Sequence, residues 1–91
     1  MPQTLQIKAL LLDIESKTDK NHNPYYRLSL QGWPARYFYA FSFSLPSPTW
    51  QTLTEFPHRL VNQQVLITYQ ELPNQDQKGT FFKVKEIELI T

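Results

Sequence analysis

The stretch Arg36 to Ser44, RYFYAFSFS, limits the possible folds most: five of its nine residues are aromatic. A half-buried strand ordinarily alternates apolar with polar residues. Here Tyr37, Tyr39, Phe41 and Phe43 fill one phase and Phe38 enters the other. Either protein covers both faces of such a strand, or one face stays apolar for a ligand.

The 91-residue chain is read as one domain over residues 1–91, long enough to build one core. With 41% hydrophobic and 19% charged residues and thirteen aromatics, it folds rather than staying disordered. It contains no cysteine, which removes disulfides, thiolate chemistry and zinc-thiolate sites together and fits a cytoplasmic protein. Met1 to Lys8 is polar, and the apolar run Ala9 to Leu12 is too short for a signal peptide or a membrane span. A soluble, cytoplasmic protein is therefore expected.

The net charge of +1 says less than its distribution. No acid occurs between Lys20 and Thr54, a window that holds Lys20, Arg27, Arg36 and nine of the thirteen aromatics. The middle of the chain is aromatic and basic.

Thr4 to Glu15 reads as one long curved strand. Leu5, Ile7 and Ala9 alternate in one phase and Leu10, Leu12 and Ile14 in the other, the mark of a bulge or bend. Ser16 to Pro24 is a polar turn segment. Tyr25 to Gln31 and Arg36 to Ser44 form a hairpin across Gly32-Trp33-Pro34-Ala35. If Tyr26, Leu28 and Leu30 point inward, the inner side of the third strand is either Phe38, Ala40 and Ser42 or Tyr37, Tyr39 and Phe41. Buried tyrosines need partners for their hydroxyls, which favours Phe38 and Ala40 inside and Tyr37 and Tyr39 outside.

Ser47-Pro48 is a helix start with Ser47 as cap and Pro48 at the first position. Trp50, Leu53 and Phe56 follow at helical spacing as core residues, and Pro57 ends the helix. Val65 to Gln70 alternates as a fourth strand, and LPNQDQKG connects it to a fifth. In that last strand Phe82 and Val84 alternate, the phase slips near Lys85 and Glu86, and Ile87 and Leu89 complete it.

Three strands, a short helix and two further strands, with a long bent first strand, resemble the OB-fold, an all-β five-stranded Greek-key barrel. Within it, NPYYRLSLQGWPARYFYAFS looks like the second and third strands of single-stranded DNA-binding proteins. The resemblance implies a ligand surface on the outer face of those strands, flanked by the loops Ser16 to Pro24 and Leu72 to Thr80. It also implies a role in DNA replication, recombination or repair.

Unpaired bases stack on aromatic rings while Lys and Arg follow the phosphates. On this reading, bases stack on Tyr25, Tyr37 and Tyr39. Arg27 and Arg36 contact phosphates or stack by cation-π interaction, Trp33 and Lys20 line the groove edge, and Lys78 contributes from the second loop. The expected partner is single-stranded DNA or RNA, held without chemistry or cofactor. The same face also suits a homodimer or a partner protein, because interfaces favour Tyr, Trp and Arg, or an oligosaccharide.

Other chemistry finds little support in the residues. Asp13 and Glu15 resemble a carboxylate pair but read as a solvated strand end beside Lys17. His22 and His58 lack the spacing of metal ligands. Ser42 and Ser44 lack the Gly-x-Ser-x-Gly setting of a nucleophile. Gly32 and Gly79, the only glycines, stand too far apart for a phosphate loop.

Overall fold

The computed structural model describes residues 3–33, 36–74 and 79–90. Its elements are β1 (Thr4–Thr18), β2 (Pro24–Leu30), β3 (Phe38–Phe41), α1 (Ser47–Glu55), a 3-10 turn (Pro57–Arg59), β4 (Gln64–Pro73) and β5 (Thr80–Leu89). The strands close into a barrel in the spatial order β1, β2, β3, β5, β4, with β4 returning to β1. Among the described residues only the short β3–β5 contact is parallel. This is the five-stranded barrel, with one short helix, that the OB-fold resemblance implies.

The length of β1 follows from its two neighbours. Thr4 to Leu10 pair with β4, and Leu11 to Thr18 pair with β2. The phase change lies further along than the sequence pattern suggests. Ala9 and Leu11 are both buried, and Leu12 is the extra residue between the pairs Leu11–Leu30 and Asp13–Ser29. Leu12 is consequently 44% exposed. Beyond it Ile14 turns inward while Asp13, Glu15 and Lys17 face out. The second slip falls where the pattern places it. Thr68 pairs with Glu86 and Tyr69 with Val84, which leaves Lys85 as the extra residue and lets both Val84 and Ile87 reach the core.

Strand β3 is shorter than the nine residues expected of it. Ser44 stops it: its amide donates to the Phe41 carbonyl at 3.1 Å, and its buried hydroxyl lies within hydrogen-bond reach of the carbonyls of Phe41 (3.0 Å) and Val84 (3.1 Å). The chain folds into a turn, and Phe43 leaves the strand. In the preceding connection, Trp33 N–H donates to the Leu30 carbonyl with Gly32 at φ 90°, a turn geometry that requires glycine.

Helix α1 begins one residue earlier than the Ser-Pro signal suggests. Trp50 N–H donates to the Pro46 carbonyl at 3.0 Å, so Pro46 holds the cap position, Ser47 is already helical, and no side chain caps the helix. Leu53 is fully buried, and Trp50 packs against Tyr26 with 5.1 Å between ring centroids. The Tyr26 hydroxyl donates to Thr54 Oγ1 at 3.2 Å. Phe56, expected in the core, is 37% exposed beneath the Arg59 guanidinium at 4.3 Å. The helix has ended at Glu55, and the bend before Pro57 turns this ring outward.

Phe38 is the hub of the core. It is fully buried, with ring centroids at 4.9 Å from Phe82, 5.1 Å from Tyr69 and 5.6 Å from Trp33. Replacing Phe38 by Ala removes the partner of all three rings. The expected loss is about 3–5 kcal/mol of unfolding free energy, read as a lower urea midpoint at an unchanged denaturant slope. A loss within experimental error would show that these rings hold together without it.

Candidate nucleic-acid interface

Pairing between strands decides which aromatic side chains share a face. Leu28 pairs with Phe38 and Tyr26 with Ala40, while Arg27 pairs with Tyr39 and Tyr25 with Phe41. Leu28, Phe38 and Ala40 are fully buried, so the alternate set points out. The hydroxyl argument therefore selects the phase that the barrel adopts.

Two rows of side chains cross this outer face. One runs Glu15, Arg27, Tyr39, Lys83 and the next runs Lys17, Tyr25, Phe41. The rings are continuous: Tyr25 lies 6.1 Å from Tyr39 and 5.7 Å from Phe41, and Phe81 lies 6.3 Å from Tyr39 and 6.4 Å from Phe41. Phe43 extends the series. It stacks nearly parallel on Phe41 (14°, 5.2 Å), is 78% exposed, and lies 5.6 Å from Lys83 Nζ.

Arg27 stands at the centre of the face and is already paired. Its Nη2 donates to Glu15 Oε1 at 3.0 Å and Oε2 at 2.8 Å, and its guanidinium covers the Tyr37 ring at 4.1 Å. Lys17 Nζ approaches the same carboxylate at 3.5 Å. The hydrogen bond from Arg27 lowers the Glu15 pKa below the usual carboxylate value, against a smaller opposing effect of desolvation, and raises that of Arg27.

At one end of the face a cleft of about 410 Å³ opens between Arg36, Tyr37, Tyr39, Thr80 and Phe81. The Arg36 guanidinium lies 4.2 Å over Phe82 and reaches Thr80 Oγ1 at 3.5 Å. Thr80 in turn donates to Glu71 at 2.7 Å.

Tyr25, Arg27, Tyr37 and Tyr39 thus come together on one face, with Arg36 at its end. Trp33 does not join them: it sits edge-on against Phe38 and Phe82 and belongs to the core layer. Lys20 is exposed in the turn beyond β1. That turn is organised by Asp19, whose Oδ1 accepts from the amides of Asn21 and Asn23 at 2.8 Å, chiefly the latter lowering its pKa. Lys78 lies outside the described residues. Phe41, Phe43, Phe81 and Lys83 are additional members of the face. Phe41 shares the phase of Tyr39, and Phe81 and Lys83 oppose the inward phase of Phe82 and Val84.

No protein-family model matches the chain, and no curated protein matches it by sequence. Among solved structures it is similar to two crystal forms of the mitochondrial single-stranded DNA binding protein Rim1 of S. cerevisiae. The TM-scores are 0.71 and 0.73 at 18% and 16% identity, covering 100% of this chain and 97% and 98% of those chains. At that identity the likeness is one of fold.

The lowered pKa values of Glu15 and Asp19 fix the sign of an acid effect. Both carboxylates are more acidic in the folded state than in the unfolded chain, so their stabilisation is complete above about pH 4–5 and is lost as pH falls through the folded values. The thermal midpoint is expected to drop on acidification below about pH 4. Glu15→Gln should show a shallower drop and a lower midpoint at neutral pH. A Glu15→Gln profile parallel to wild type would remove Glu15 from the effect.

Proposed function

We propose that this barrel binds single-stranded DNA on the outer face of β2, β3 and β5, without chemistry. The observation that carries the reading is the unbroken series of outward rings, Tyr25, Tyr39, Phe41, Phe43 and Phe81, beside Arg36 and Lys83. Flat apolar rings next to cations suit unpaired bases with a phosphate backbone. The likeness in fold to a protein described as single-stranded DNA binding supports the same reading.

On this proposal the stacking residues are Tyr25, Tyr37, Tyr39, Phe41, Phe43 and Phe81. Arg36 and Lys83 meet phosphates, and Trp33 supports the face from the core side. Each stacked base contributes roughly 1–3 kcal/mol. Affinity then comes more from rings than from charge, and salt dependence is shallow.

A fluorescent oligo-dT titration at low salt tests it. Tyr39→Ala should weaken binding by roughly 1–3 kcal/mol, whereas Trp33→Ala should chiefly lower stability. Unchanged affinity in Tyr39→Ala would take that ring out of the site. Absence of binding by wild type at micromolar concentration would overturn the proposal.

Phe43, the most exposed of the rings, also suits a protein contact. Sizing chromatography separates the two readings: a concentration-independent oligomer unaffected by oligonucleotide favours the protein partner.

A further inference from the structure

Arg27 occupies the centre of the ring face, where a phosphate-binding arginine would be most useful. Its hydrogen-bonding capacity is directed elsewhere. Nη2 holds both oxygens of Glu15, Nε is buried without a hydrogen-bond partner, and the flat side of the guanidinium rests on Tyr37. A phosphate reaching the exposed remainder of this group would stand beside the Glu15 carboxylate, whose negative charge repels it and which also engages Lys17 Nζ at 3.5 Å. On the other side of the rings Arg36 makes no ion pair among the described residues, with Thr80 standing between it and Glu71, and Lys83 lies over Phe43.

We infer that Glu15 sets the path of the nucleic acid: by holding Arg27 it excludes phosphate from the β1–β2 side, so the backbone follows Arg36 and Lys83 along β3 and β5 while bases lie over Tyr25, Tyr39 and Phe41. The inference rests on the proposed binding of single-stranded DNA. It makes Glu15 and Arg27 positioning residues. Arg27 keeps Tyr37 in place and adds no phosphate contact, and Glu15 keeps Arg27 in that role.

Salt dependence distinguishes a phosphate contact from a structural one, because each single-strand phosphate contact contributes about 0.7 to the slope of log affinity against log salt. Oligo-dT titrations across salt concentrations would compare wild type, Arg27→Ala, Lys83→Ala, Glu15→Gln and the double variant Arg27→Ala/Glu15→Gln. Arg27→Ala should keep the wild-type slope even if affinity falls. Lys83→Ala should lose about 0.7 of slope. Glu15→Gln should gain about 0.7 by freeing Arg27, and the double variant should lose that gain.

A flatter slope in Arg27→Ala, matching that of Lys83→Ala, would overturn the inference and leave DNA binding intact. An unchanged slope in folded Glu15→Gln would do the same. No binding by any variant, wild type included, would overturn the inference and the proposed function together. Should Glu15→Gln fail to fold, the comparison of Arg27→Ala with Lys83→Ala still decides.

Discussion

The two-residue period of β3 is the constraint on which both core and face depend. Phe38 and Ala40 point into the barrel and are fully buried, and Phe38 gathers Trp33, Tyr69 and Phe82 around it. A slip of one residue would bury Tyr37 and Tyr39 with their hydroxyls and expose Phe38 instead. The core is thereby tied to one phase, and the same choice leaves the other rings outside. Folding and the aromatic surface have a single cause.

Two bulges complete that arrangement. At Leu12 the strand that alternates against β4 is re-aimed so that Asp13, Glu15 and Lys17 share the outer side of β2. At Lys85 the last strand is re-aimed so that Val84 and Ile87 are both buried, while Phe81 and Lys83 stand outside next to β3. Each extra residue loses regular pairing at one position. In exchange the strand can curve around a small core.

What was legible in the sequence follows from local physics. The order of elements, the slip near Lys85 and the inward phase of Phe38 and Ala40 came from alternation and from the cost of burying hydroxyls. Contacts between distant residues were not legible. Ser44 ends β3 by a local turn onto Phe41 and by reaching the Val84 carbonyl, forty residues away in sequence, and the distant half of that arrangement leaves no trace in the alternation that runs on through Phe43. Trp33 looks like an edge residue in its Gly-Trp-Pro setting, but the ring swings onto Phe38 and Phe82. Glu15 and Arg27 are twelve residues apart, and they face each other only because Leu12 is skipped. The sequence shows a bend in this strand but not which residue of the second strand lies opposite, so Glu15 reads there as a solvated strand end.

The pairing of Arg27 changes the character of the whole face. An arginine among tyrosines invites a reading as a phosphate clamp, since a guanidinium presents a fork of donors. Once that fork closes on Glu15, its charge is locally cancelled and its flat surface becomes one more support for a ring. The centre of the face is then apolar and close to neutral, with free positive charge displaced to Arg36 and Lys83. Under the proposed function such a surface discriminates by ring stacking more than by Coulomb attraction, because stacking acts at contact distance whereas exposed charges are screened within about 10 Å at ordinary salt. That is consistent with a chain carrying a net charge of only +1. It needs no broad basic field if its rings hold the bases and only a few cations follow the backbone.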